Sequence, residues 1–141
     1  MSTCAPAPPR TTERTSAGAR RAAWFVAALA WSVLGVMAGV QHGRLAGLAA
    51  AAVFFVAADL TFLAGLRDAP RMARGQLPPR AVPLHNAAHR ALVPLTLLGL
   101  CAALPGKWAP ALAALCGWLA HISYDRAFGY GPRTKEGFQR G

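Results

Sequence analysis

The chain has 141 residues, room for a single domain, of which 55% are apolar and 14% charged, with a formal net charge of +10. A basic excess of this size marks a nucleic-acid binder when it forms a surface patch. Here most basic residues fall in the gaps between apolar stretches and none interleave with aromatics on a polar surface, which excludes nucleic acid as a partner. The apolar residues cluster in runs too long for the core of so small a soluble protein, which excludes that class and leaves an integral membrane protein.

Residues 1–21 are rich in Ser, Thr, Ala, Pro and Arg and bury too little to offset their ordering entropy, so a disordered tail is expected. Ala22–Val40 is a 19-residue run whose only strongly polar side chain is Ser32. It exceeds the roughly 7–15 residues of a cleavable signal, so it reads as a retained first span, with Arg20-Arg21 as its orientation signal. Gln41-His42-Gly43-Arg44 makes a tight turn. Leu45–Leu66 is a 22-residue run with one ionisable residue, Asp59. Both runs approach the roughly 20 apolar residues that a helix needs to cross a bilayer.

Pro70, Pro78 and Pro79 make the stretch from Arg67 to Val82 a loop. A third helix is expected from Pro83, a residue suited to a first helical turn, to Leu104. Pro94 cannot donate to the carbonyl of Arg90 and should kink the helix there. The fourth helix runs from Trp108 to Phe128, with Gly129 and Gly131 to end it. The expected fold is all-α: a four-helix transmembrane domain over residues 22–131, built as two antiparallel hairpins, with a C-terminal tail over 132–141. Gly35 and Gly39 have the small-xxx-small spacing of close helix packing. Cys4, Cys101 and Cys116 have no metal or redox spacing. Trp24, Trp108, Tyr124 and Tyr130 read as interfacial anchors, and Trp31 and Trp118 as packing or lipid-facing residues.

Lysines and arginines near the spans set orientation. The N-terminal tail, the middle loop and the C-terminal end carry twelve of them, against two, Arg44 and Lys107, in the other turns. Both termini are therefore expected in the cytoplasm, with the protein multi-pass in the inner (plasma) membrane and the lipid bilayer its first partner.

Six residues do not belong in lipid: Asp59, His85, His89, Arg90, His121 and Asp125. A charge at mid-membrane costs roughly 2.5–3.5 kcal/mol on insertion scales, so such groups face the interior and find partners. Topology brings Asp59, the His85/His89 pair and the His121/Asp125 pair to one level near the cytoplasmic face. Each pair is spaced by four residues and shares a helix face. Together His85, His89, His121, Asp59 and Asp125 have the chemistry of a site for zinc, iron or manganese. A carboxylate left off the metal, Asp59 or Asp125, would serve as general base on a bound water. Arg90 or Arg126 would hold an anionic group of an amphiphilic substrate.

Trp118-Leu119-Ala120-His121-Ile122-Ser123-Tyr124-Asp125-Arg126-Ala127-Phe128-Gly129-Tyr130-Gly131 resembles the C-terminal signature of a small bacterial membrane family known as domain of unknown function 4260. His85-Asn86-x-Ala88-His89 with Pro94 resembles its middle motif, and Ala58-Asp59-Leu60-Thr61 its acidic motif. The sequence leaves the pattern at Pro132-Arg133-Thr134 and returns to it at Gly137-Phe138. The resemblance implies the membrane fold and carries no activity.

Three functions fit the residues. The first is a metal-dependent hydrolase at the cytoplasmic face. The second is a structural network, with Asp59 paired to Arg90, Asp125 paired to a histidine and Arg126 reaching the headgroups. The third is a small proton or ion transporter.

Overall fold

The computed structural model of the protein describes residues 11–41, 44–104 and 109–140. Among them are five α-helices: α1 (Thr11–Gln41), α2 (Leu45–Ala57), α3 (Val82–Ala88), α4 (Leu92–Ala103) and α5 (Ala109–Phe128). Short 3-10 segments cover Asp59–Gly65, Ala69–Arg71 and Pro79–Ala81, and no strand occurs among the described residues. His42, Lys107 and Trp108 lie outside the described residues, as does Cys4.

α5 is the axis of the fold, packed against α1, α2 and α4. From Ala113 to Ser123 every residue but Trp118 is buried. The sequence allows this because the axis is built from small residues that let neighbouring backbones come close. A Cβ at Gly117 would run into the carbonyl oxygen of Ala51 on α2. The Gly35/Gly39 pair does pack, but against two different neighbours. Gly35 lies on Cys116 of α5, while Gly39 meets Gly47 and Leu48 of α2. Ser32 keeps its hydroxyl satisfied within α1, donating to the Ala28 carbonyl at 2.8 Å.

Three elements depart from the expected layout. α1 begins at Thr11, so helix replaces disorder over residues 11–21, where alanines and arginines favour it. Its Arg21 guanidinium lies beside Gly129 at the C-terminal end of α5, where a cation is favoured by the helix dipole. The second run is bent by 43° where α2 gives way to Asp59–Gly65. The third is broken outright rather than kinked: α3 ends at Ala88 and α4 starts at Leu92. Pro94 explains the break, because its ring displaces the carbonyl of Arg90, which accepts instead from Val93 N–H at 3.0 Å.

Gly129 ends α5 with φ +87°, and the closing bonds are Gly129 N–H to Arg126 O (3.2 Å) and Tyr130 N–H to Asp125 O (2.7 Å). The chain then folds back as a turn closed by Thr134 N–H to Phe138 O at 2.7 Å. Leu77 N–H donates to Gly137 O at 2.9 Å, tying this turn to the middle loop. The stretch expected as a C-terminal tail is thus bonded back onto the middle loop.

Thr15–Gln41 is long and apolar enough to cross a membrane, and α2 with Asp59–Gly65 passes as a second span if the bent pair is counted as one. α4, with 12 residues, is only about 18 Å long, well short of a hydrocarbon core of about 30 Å. The outward faces of α1, α2 and α4 are apolar, with Val33, Leu45, Val56, Leu92 and Leu100 all exposed.

Gly117→Ala should destabilise the detergent-solubilised protein by about 1–3 kcal/mol, the usual cost of overpacking, because the neighbour is backbone that cannot rotate away. Gly18→Ala, on an open stretch of α1 with nothing within 4 Å, should be neutral or stabilise by about 0.5–1 kcal/mol. Thermal unfolding followed by circular dichroism compares the two.

Candidate metal centre

Each acidic or imidazole group at the centre is delivered by an end, a bend or a turn of a helix. Asp59 is the first residue after the bend in the second run. The Thr61 hydroxyl donates to the Ala58 carbonyl at 2.8 Å, tying the first turn of the 3-10 segment to the end of α2. His89 is the C-cap of α3 and has left helical geometry, with φ −98° and ψ 14°. His121 and Asp125 stand one turn apart on α5.

These four side chains meet. His89 Nε2 lies 3.3 Å from His121 Nε2 and 3.2 Å from Asp125 Oδ2. His121 Nε2 lies 3.6 Å from both Asp59 Oδ1 and Asp125 Oδ2. Asp59 Oδ1 is 3.9 Å from His89 Nε2. The ligand atoms of Asp59, His89 and His121 all lie within 4.8 Å of one another. Both imidazoles are buried, whereas Asp125 is partly exposed and Asp59 about half exposed, so the cluster opens on its carboxylate side.

A hydrogen bond fixes which nitrogen of His89 faces the cluster. His89 Nδ1 is 2.9 Å from the His85 carbonyl, which can only accept, so Nδ1 carries the proton. In its neutral form a ring so bonded presents the Nε2 lone pair to the cluster. A backbone carbonyl on the second nitrogen is the usual way a ligating histidine is oriented. His85 itself stands outside the cluster. Its ring stacks on His89 at 3.9 Å between centroids and lies 5.0 Å from Phe62. Its Nδ1 is 3.3 Å from Thr61 Oγ1, whose proton is committed to Ala58. The four-residue spacing thus brings the two rings together, but stacked rather than side by side on one ion.

The remaining expected site residues are placed as follows. Arg90 is exposed in the break between α3 and α4, and the Asp59 carboxylate is paired with the imidazoles rather than with it. Arg126 is half-buried at the end of α5, near Gly131. Tyr124 is half-buried, edge-on to Phe25 and Phe55.

Two supports were not visible in the sequence. The Trp118 indole N–H donates to the Ala88 carbonyl at 2.7 Å, capping the end of α3 just before His89. The Asn86 side chain grips the backbone of Arg133 at both ends, accepting from its N–H at 2.7 Å and donating to its carbonyl at 3.0 Å. A cavity of about 210 Å³ opens beside the cluster, lined by Asp59, Phe62, His85, Asp125, Tyr130, Gly131 and Arg133.

Fold and site define the class: an all-α protein that gathers a buried imidazole pair and two carboxylates from a bend, a helix end and one face of a continuous helix. The chain belongs to the family described as Domain of unknown function (DUF4260), whose model matches residues 26–141. No curated protein and no solved structure matches it.

Trp118→Phe should keep the ring but leave the Ala88 carbonyl without its donor, at a cost of about 1–3 kcal/mol. Trp118→Tyr, whose hydroxyl reaches differently, should not restore it. Thermal melts of the two variants against the unaltered protein give the result.

Proposed function

We propose that the protein is an integral membrane enzyme that binds one divalent metal through Asp59, His89 and His121 and hydrolyses an amphiphilic substrate at the cytoplasmic face. One observation carries the metal: two imidazole Nε2 atoms 3.3 Å apart, with a carboxylate oxygen 3.6–3.9 Å from both. Ligands about 2.0–2.1 Å from a tetrahedral ion stand roughly 3.3–3.4 Å from one another, so the cluster needs only small adjustments to close on zinc. Iron or manganese would suit the same donors.

Three protein ligands leave a position for water, whose proton a bound metal makes easier to remove. Asp125 touches both imidazoles and lines the cavity, which suits it to take that proton. His85 would act on the site through His89, holding its ring by stacking and its Nδ1 through the backbone carbonyl. The membrane setting is supported by the apolar outer faces of α1, α2 and α4 around a polar centre. Orientation with both termini in the cytoplasm rests on the twelve basic residues of the tails and middle loop.

The competing reading is a metal-free network, in which the same 3.3 Å contact is a hydrogen bond between the two Nε2 atoms. Metal analysis of the detergent-purified protein decides between them. About one ion per chain is expected, as for a single catalytic site. It should be lost in His89→Ala/His121→Ala and kept in His85→Ala. Asp125→Asn should keep the metal and lose about 10²–10⁴-fold in hydrolysis of a panel of short-chain esters and phosphoesters. A folded, metal-free protein after reconstitution with zinc, iron and manganese would leave the network reading standing.

A further inference from the structure

The cavity beside the cluster contains a cation that the metal reading does not use. Arg133 stands on its wall and also lines a second cavity formed with Phe62, Gly75 and Pro78. Its position is fixed from three sides. The Asn86 amide holds its backbone N–H and carbonyl, and its Nη1 donates to the Gly75 carbonyl at 2.9 Å. Yet its Nε–H is buried and has no hydrogen-bond partner among the described residues. No carboxylate lies within ion-pair distance of the guanidinium among the described residues, so its charge is left to be balanced by an anion that enters the cavity.

Charge says what kind of partner. Asp59 and Asp125 line the same cavity and by themselves would repel an anion. A divalent ion on the cluster cancels the two carboxylates, and Arg133 then leaves the cavity net positive. The guanidinium fork matches two oxygens of one oxyanion better than a single point charge does. We infer that Arg133 is the anion-binding residue of this cavity, taking the phosphate or carboxylate head of the substrate and presenting the neighbouring bond to the cluster. This rests on the metal reading for its charge balance, and it assigns the anion to Arg133 rather than to the exposed Arg90 or to Arg126.

Arg133 also latches the C-terminal turn, so the test must separate the latch from the anion site. The full-length protein in detergent, with metal content measured on the same samples, is titrated calorimetrically with three probes: inorganic phosphate, acetate and dihexanoyl phosphatidic acid. Saturable binding of at least one probe is expected. Binding of inorganic phosphate or acetate identifies a free oxyanion as sufficient, and binding of the short lipid alone identifies a headgroup. Arg133→Gln should weaken binding roughly tenfold or more, as loss of a charge-assisted pair does, with Arg133→Lys weakened less. Asn86→Ala, which breaks the latch but keeps the charge, should stay within about threefold, well under the tenfold that a 1.4 kcal/mol loss would bring. If Arg133→Gln does not fold, Arg133→Lys against Asn86→Ala carries the comparison.

No saturable binding of any probe, or equal binding by the Arg133 variants, overturns the inference. So does a loss in Asn86→Ala as large as in Arg133→Gln. Full metal content without Arg133-dependent binding removes the anion site and leaves the metal site standing. Arg133-dependent binding by metal-free protein overturns the metal-borne charge balance on which this inference rests.

Discussion

Two imidazole nitrogens and two carboxylates occupy a space in which each group is within 4 Å of at least two others. Such a set is stable only if protons or a cation lie between its members, because unpaired polar groups away from water are costly. The rest of the fold can be understood as the means of holding these four atoms together. A continuous helix presents side chains at fixed angular steps and could not aim Asp59 and His89 at α5 from two neighbouring segments at once. The bend after Ala57 and the break after Ala88 supply the missing rotation. The break leaves the Ala88 carbonyl in need of a donor, and Trp118 supplies it. The local disorder of helix geometry is thereby turned into a directed arrangement with its polar groups satisfied.

The opposite requirement holds at the other end of the axis. Where α1, α2 and α5 run together, alanines and glycines replace large side chains, and packing relies on close backbone approach. Dispersion contacts between closely approaching backbones hold the helices together there. The large apolar residues are spent outward, on α1, α2 and α4. A small-residue half that fixes the helix axes and a polar half that uses them is a consistent division of one short chain.

Much of this was legible in the sequence, and the misses have physical causes. The apolar runs gave α1 and the second run, and the four-residue spacing placed His121 and Asp125 on one face because α5 really is continuous. The same rule applied to His85 and His89 predicted two ligands side by side. It failed because α3 stops at Ala88, so His89 sits on non-helical backbone and its ring turns onto His85 instead. Pro94 signalled a disturbance at Arg90, but a sequence does not tell a kink from a break: that depends on whether a donor such as Trp118 is there to receive the freed helix end. Side chain to backbone bonds across 30 or 47 residues, such as those of Trp118 and Asn86, leave no periodic trace.

The C-terminal turn shows how far such long-range bonds reach. Gly129 reverses the chain at the end of α5, and the closing bond falls on the carbonyl of Asp125, a member of the cluster. The next residues pass over the carboxylate side, where Asn86 catches Arg133 only three residues before His89. The turn is therefore tied at one end to the α5 pair and at the other to the α3 pair, and Gln76 and Leu77 fasten it to the middle loop. The Asn86 clamp holds only the backbone of Arg133, whose side chain donates to the Gly75 carbonyl and lines the cavity. Placement of the turn and of its cation thus depends on the same amide, and the stretch expected as a C-terminal tail forms a wall of the cavity.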